Sequence, residues 1–225
     1  MNTIYDDLLE SAALNTIIYD DPYAKLCLIS TIILQLRKEV RKKILYIDFD
    51  TVFTAYVKAG LIPPLMVRKL NPSLYSSDLL RIYLPNQKVD LDLADAIKHV
   101  TEASLVIFDS INSFYSLFYF GLKPSNAVKR ELGNINHLLL IILMLLLKGT
   151  YFAKIPLLVT SMIRFRKSTG WIRTPTSNRF LKSQSKVNLY VSMDNENDIS
   201  VSVLSHPRFA PQKMTFPNRA INLCR

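Results

Sequence analysis

The feature that most constrains the fold of this chain is a series of apolar runs that each end in polar side chains. The runs are Tyr46-Ile47-Asp48-Phe49-Asp50, Leu105-Val106-Ile107-Phe108-Asp109-Ser110 and Leu157-Leu158-Val159-Thr160-Ser161. Continuous apolar character is typical of parallel strands buried on both faces. The carboxyl ends of parallel strands line one crevice, where α/β proteins bind ligands. The sequence therefore predicts a parallel sheet with a binding site at one edge.

Helix-like and strand-like apolar patterns alternate along the chain. Strands are predicted at 15–19, 43–49, 80–84, 104–108 and 156–161, and helices at 25–38, 91–102 and 134–148. Three further runs, 187–193, 199–204 and 213–216, have the spacing of antiparallel strands. We expect an N-terminal extension of residues 1–14 and one α/β domain over 15–225. Its mostly parallel sheet would be flanked by helices and extended by antiparallel C-terminal strands.

The charge of the chain predicts an anionic partner. The formal net charge is +10, and no Asp or Glu lies between Glu131 and Asp194. A regional excess of this kind favours nucleic acid.

The same sequence offers no metal site and no expected membrane span. Cys27 and Cys224 lie far apart, and the histidines lack ligand spacing. The strongest apolar run, 138–147, is shorter than the ~20 residues that cross a bilayer, so we expect a buried helix and no membrane partner.

The order of the strand ends resembles that of the RecA/RadA recombinase family and its paralogues. In that family the second strand ends in a tyrosine, an aspartate and a catalytic acid, which match Tyr46, Asp48 and Asp50 here. The Walker B strand of the family ends in Asp-Ser, which matches Asp109 and Ser110. The likeness spans about residues 15 to 216 and implies a RecA-like core.

The phosphate-binding loop departs from the family pattern. A P-loop needs glycines for close backbone approach, a lysine for the outer phosphates and a hydroxyl for magnesium. Read in that frame, Asp20 and Lys25 replace the glycines, Leu26 the lysine and Cys27 the hydroxyl residue. The resemblance therefore implies a vestigial nucleotide site at Asp20, Lys25, Asp50 and Asp109, with no catalytic residue and no cofactor.

Two alternative interpretations of this predicted site remain open. ATP with magnesium could still bind, with Lys25 as the P-loop lysine after a one-residue deletion. Alternatively, the acids at the strand ends serve only to cap helices or to accept hydrogen bonds from loop amides.

A basic loop after Thr160 stands where the resembled recombinases place their second DNA-binding loop. The predicted DNA-binding residues are Arg164, Arg166, Lys167, Trp171, Arg173 and Arg179. Cations attract phosphates, and aromatic or guanidinium planes stack on unpaired bases. The alternative is a solvated basic loop with Trp171 packed in the core. Phe114, Phe118 and Phe120, at the position of the first DNA loop, are too apolar to bind phosphates and predict core or a partner interface.

The resemblance implies a non-catalytic recombinase paralogue, similar to the small paralogue complexes that include the Shu type. It would bind single-stranded or fork-like DNA and a RecA-like partner subunit, and assist recombinase filament assembly in homologous recombination repair. The alternatives are a divergent ATP-binding DNA-repair ATPase and a purely structural subunit. We expect a nuclear location, with an archaeal cytoplasm as the alternative.

Overall fold

The computed structural model describes residues 8–37, 42–62, 65–85, 89–119, 127–166, 170–172, 178–195 and 198–217. The strands are β1 (Leu14–Tyr19), β2 (Lys43–Asp48), β3 (Arg68–Asn71), β4 (Leu74–Ser76), β5 (Leu80–Tyr83), β6 (Ala103–Asp109), β7 (Leu157–Met162), β8 (Arg164–Arg166), β9 (Gly170–Ile172), β10 (Ser185–Asn195), β11 (Asp198–Ser205) and β12 (Gln212–Pro217). The helices are α1 (Pro22–Leu36), α2 (Val52–Lys58), α3 (Val89–Lys98), α4 (Ile111–Tyr119), α5 (Ala127–Ala153) and α6 (Asn178–Gln184), with a 3-10 turn at Val100–Glu102.

The main sheet has a parallel centre and antiparallel edges. Within the described ranges its strand order is β12-β11-β10-β1-β7-β6-β2-β5-β4-β3. The strands from β10 to β5 in that order pair in parallel, and β11 and β12 continue antiparallel on one side. The predicted α/β class, with its antiparallel C-terminal strands, is confirmed.

Alternating side chains of the central strands supply two separate cores. On β2, Ile44 and Tyr46 pack with α1 and α2 on one face, while Leu45 and Ile47 pack with α3, α4 and α5 on the other. Because successive residues of a strand point to opposite faces, a strand covered on both sides must be apolar throughout. This requirement explains the unbroken apolar runs in the sequence.

The edge beyond β5 was missed by the sequence analysis. There β3 and β4 form an antiparallel hairpin, and β4 pairs antiparallel with β5. β3 is exposed along its whole length and β4 has only three residues. An exposed strand such as β3 and a three-residue strand such as β4 show no hydrophobic periodicity in the sequence.

Helix α5 is longer than predicted, with 27 residues. Its stretch Gly133–Ala153 is long and apolar enough to span a membrane by length and composition alone. The apolar helix is therefore longer than the ten-residue run 138–147 indicated. Leu139, Leu143 and Leu146 are nonetheless buried against the sheet, as expected of a core helix.

Candidate functional site

Three carboxylates meet at the carboxyl ends of β2 and β6. Asp48 and Asp109 are directly paired in the parallel register of these two strands, and Asp50 follows two residues after Asp48. One carboxylate oxygen of each residue lies within 4.8 Å of the other two. The strand ends therefore form the predicted polar edge.

The ammonium group of Lys25 lies among these carboxylates. Its Nζ donates to Asp50 Oδ2 at 2.6 Å and to the two oxygens of Asp109 at 2.7 and 2.8 Å. The Lys25 side chain is only 1% exposed. Lys25, Asp50 and Asp109 are thus brought together, as the predicted site required.

The start of helix α1 directs Lys25 into the site. Asp21 is the N-cap residue, and its side chain accepts a hydrogen bond from the Tyr23 amide at 2.8 Å. Pro22 is the first residue of the helix, a position where its missing N–H costs nothing. These two signals fix where α1 begins and place Lys25 in its first turn.

Lys25 remains charged despite its burial. Burial lowers the pKa of its ammonium group, but the charges of Asp109 and Asp50 outweigh that effect and the net shift is upward. A buried charge is tolerated when it is paired and hydrogen-bonded. The site therefore carries its own internal cation.

Asp109 is fully hydrogen-bonded. Besides the contacts with Lys25, its Oδ2 accepts from the Tyr46 hydroxyl at 2.6 Å and its Oδ1 accepts from the Thr160 hydroxyl. Burial and the Asp109 charge raise the pKa of Tyr46, so its hydroxyl keeps the proton that it donates. The carboxylate at the end of β6 is therefore held by residues from three other elements, α1, β2 and β7.

Asp48 has a different role from its neighbours. Its Oδ2 accepts from the Thr54 amide at 2.8 Å and from the Thr54 hydroxyl at 2.6 Å, in the first turn of α2. Its buried Oδ1 has no hydrogen-bond partner. Burial, and then the charges of Asp109 and Asp50, raise the pKa of Asp48 well above its ordinary value. Asp48 therefore accepts hydrogen bonds from the first turn of α2, as the helix-capping alternative for the strand-end acids predicts.

Asp20 lies apart from the cluster. Its carboxylate accepts a hydrogen bond from the Tyr190 hydroxyl of β10, on the opposite side of β1 from β6. Of the four residues predicted for the vestigial site, Asp20 is the one that the structure does not bring into contact with Lys25. The direct contacts of Tyr46 and Thr160 with Asp109 were not predicted from the sequence, although both residues lie in predicted strands.

The basic loop begins close to the carboxylates. β8 starts two residues after β7 ends, and the Met162 amide donates to Asn112 Oδ1 at 2.8 Å, just beyond Asp109. β8 and β9 form a hairpin in which Phe165 is opposite Trp171 and Arg166 is opposite Gly170. Arg164 lies in β8 and Arg179 in α6, whereas Lys167 and Arg173 fall outside the described residues.

The aromatic segment belongs largely to the core. Phe114 is completely buried, and its ring packs against Phe49 at 5.3 Å and Phe118 at 4.9 Å between centroids. Of the two alternatives given for Phe114, core or partner interface, its complete burial supports the core. Phe118 is half-buried against the same core, and Phe120 lies outside the described residues.

Comparisons with known proteins agree with this architecture. No protein-family model and no curated protein matches the chain. Among solved structures, the chain is similar to a crystal structure of the RadB recombinase, with 18% sequence identity and a TM-score of 0.62. The match covers 95% of this chain and 91% of the RadB chain. The polar strand ends and the internal ion pair are therefore built on a fold similar to that of the RadB recombinase.

Proposed function

We propose that this chain is a non-catalytic recombinase paralogue. It binds DNA and a RecA-like partner subunit and assists recombinase filament assembly during homologous recombination repair in the nucleus. The observation that carries the proposal is the pairing of Lys25 with Asp50 and Asp109 at the strand ends.

The ion pair supports the loss of nucleotide binding. A P-loop lysine must be free to reach the outer phosphates, and the Lys25 ammonium is held by two carboxylates instead. The N-terminus of a helix is an anion site, but the carboxylate of Asp21 already caps α1. A triphosphate at the start of α1 would be repelled by the negative charge of the Asp21 carboxylate.

The position of the magnesium ligand supports the same conclusion. The residue at the family's hydroxyl position is Leu26 if Lys25 is taken as the P-loop lysine, and Cys27 in the ungapped frame. Leu26 has no ligand atom, and burial raises the pKa of the Cys27 thiol to about 12. Magnesium binds hard oxygen ligands rather than a neutral thiol. Asp109 therefore lacks the usual second residue with which to hold a hydrated magnesium ion.

Titration with a fluorescent ATP analogue and magnesium tests this part of the proposal. We expect no saturable binding up to millimolar nucleotide and no hydrolysis above that of an Asp50→Asn control, whose side chain is 17% exposed. Micromolar binding that both Asp50→Asn and Asp109→Asn abolish, with circular dichroism unchanged, would instead establish the alternative, a divergent DNA-repair ATPase.

The position of the β8–β9 hairpin supports DNA binding. Its residues follow β7 at the same sheet edge as the carboxylates, and its sequence alternates Arg164, Phe165 and Arg166. Cations neutralise phosphates, and ring stacking on unpaired bases contributes about 1–3 kcal/mol per base. This combination favours single-stranded DNA or the unpaired arm of a fork.

Fluorescence anisotropy with a single-stranded oligonucleotide and a forked duplex tests the DNA role. Changing Arg164, Arg166 and Arg173 together to Ala should weaken binding and reduce the salt slope by about 2, at roughly 0.7 per lost phosphate contact. The control variant changes three exposed cations, Arg68, Lys69 and Lys98, to Ala and so removes the same total charge. It should leave the DNA affinity and the salt slope nearly unchanged. Equal losses in both variants would make the binding a non-specific effect of net charge.

A pull-down from native cells, read by mass spectrometry, tests the partner. We expect a second RecA-like protein and a recombinase in the complex, and nuclear fluorescence of the tagged chain. A stable complex whose DNA affinity is unchanged when this chain is omitted would favour the purely structural alternative.

A further inference from the structure

Helix α5 is apolar on two faces, and only one of them is covered by the rest of the described chain. Leu139, Ile142 and Leu146 are buried against the sheet. On the outer side, Ile141 is 44% exposed, Leu145 44% and Phe152 70%. Soluble proteins seldom leave a contiguous row of large apolar side chains in water unless it binds something.

The outer row has the spacing of a helix-packing seam. Leu138, Ile141, Leu145 and Phe152 follow one another at intervals of three, four and seven residues. Lys148 stands at the position that completes the repeat. This is the a/d pattern of a heptad, which packs against another helix. From Leu138 to Phe152 the seam is about 21 Å long, from the ~1.5 Å rise per residue.

A groove lies beside the C-terminal half of this seam. It has a volume of about 540 Å³ between α5, the chain entering β1 and the junction of α6 with β10. Leu14, Leu145, Tyr151 and Phe152 are among its apolar lining residues. An apolar groove that is open to solvent matches the recognition mode in which an amphipathic helix lays its apolar face into a hydrophobic groove.

The rim of the groove is positively charged. Lys148 and Lys186 both line it and are exposed, and no acidic residue is among the lining side chains. A partner helix would therefore be favoured by Asp or Glu beside its apolar stripe.

We propose that this groove docks one amphipathic helix of a partner protein, with apolar residues at heptad spacing and acidic residues on its flanks. The site is distinct from the strand-end carboxylates and the β8–β9 hairpin, and it depends on neither nucleotide nor DNA.

A fluorescein-labelled synthetic peptide tests the docking surface on the full chain. Its four turns carry leucine at heptad positions a and d and glutamate at e and g, so that like charges keep the peptide monomeric at neutral pH. A matched peptide carries lysine at e and g. We expect the glutamate peptide to bind at least tenfold more tightly than the lysine peptide, and Lys148→Glu with Lys186→Glu to reverse that preference.

Two leucine variants separate the groove from general hydrophobic binding. Leu145→Glu changes a side chain on the outer face of α5, so it should abolish peptide binding with the circular dichroism spectrum unchanged. Leu70→Glu makes the same change at a leucine that is 61% exposed on β3, at the far edge of the sheet, and should leave binding intact.

Three outcomes would overturn the proposal. The first is peptide binding without the expected selectivity, seen either as equal affinity for the two peptides or as binding that survives Leu145→Glu. The second is a homodimer in sedimentation equilibrium that Leu145→Glu disperses, which would assign the groove to a second copy of this chain. The third is binding to vesicles of phosphatidylcholine and phosphatidylserine that Leu145→Glu abolishes, which would assign it to a membrane surface.

Discussion

The Nζ of Lys25 lies 2.7 Å from Asp109 Oδ1, and each of these side chains is only 1% exposed. The two residues are 84 positions apart and join the first turn of α1 to the end of β6. The pair therefore fixes the start of α1 against the end of β6, whether or not the site binds a ligand.

Lys25→Met should destabilise the protein strongly. The change leaves the buried Asp109 carboxylate without its cation, and breaking a buried pair in this way typically costs about 3–5 kcal/mol. Urea unfolding followed by circular dichroism measures the loss. The control, Lys98→Met, removes an exposed cation at the end of α3 and should change the free energy of unfolding by no more than about 0.5 kcal/mol. A loss below about 1 kcal/mol for Lys25→Met would contradict the assigned role.

Lys25→Ala should create sensitivity to divalent cations. Without the ammonium group, oxygens of Asp48, Asp50 and Asp109 within 4.8 Å of one another remain uncompensated, and carboxylates are ligands for manganese or magnesium. We expect manganese to raise the thermal midpoint of this variant and not that of the parent protein. At a concentration of 100 Kd the added stability would be about 2.7 kcal/mol. The further change Asp109→Asn should remove the response, and a response of equal size in the parent protein would contradict the prediction.

The parallel centre of the fold was predictable because burial on both faces forces an apolar run. β2, β6 and β7 are such strands, and the acids that follow β2 and end β6 mark where the sheet meets solvent. A polar side chain at a strand end is visible in a single sequence because it interrupts that run.

The partners of those acids were less predictable. Lys25 was read at a glycine position of the P-loop, and nothing local to residue 25 indicates that its ammonium contacts a carboxylate 84 positions away. The same reasoning applies to Tyr190, whose hydroxyl contacts Asp20 across 170 positions. Contacts of this kind arise from strand order, and a single sequence does not record strand order.

Asp48→Asn should stabilise the protein at neutral pH. Burial raises the pKa of Asp48 in the folded state, so folding favours its protonated form. That contribution to stability is complete below the unfolded pKa of about 3.9 and is lost as the pH rises towards the folded value. An asparagine keeps an oxygen for the Thr54 amide and carries no charge beside Asp109.

Thermal unfolding between pH 4 and pH 8 measures this effect. The midpoint of Asp48→Asn should exceed that of the parent protein at pH 7, by roughly 2–4 °C for each kcal/mol gained. The advantage should shrink as the pH approaches 4. Asp78→Asn, at an exposed aspartate, is the matched control and should show no such trend. A lower midpoint for Asp48→Asn at pH 7 would show that the ionised form is the one that the fold needs.

The two glycines of α5 should respond in opposite ways to alanine. A Cβ at Gly149 would lie 2.8 Å from Val100 Cγ1 and 3.2 Å from Val100 Cβ, whereas a Cβ at Gly133 meets nothing within 4 Å. Alanine in a helix is favoured over glycine by about 0.5–1 kcal/mol, but overpacking costs about 1–3 kcal/mol. Gly133→Ala should therefore stabilise the protein, and Gly149→Ala should destabilise it by about 1 kcal/mol.

A double-mutant cycle with Val100→Ala identifies the cause. Val100→Ala removes the methyl carbon at 2.8 Å but keeps the Cβ at 3.2 Å, so Gly149→Ala should be clearly less destabilising in that background than beside Val100. The free energies of unfolding in urea give the coupling between the two sites. If Gly149→Ala remained equally destabilising beside Ala at position 100, the close approach of α5 to the 3-10 turn would not be what requires glycine there.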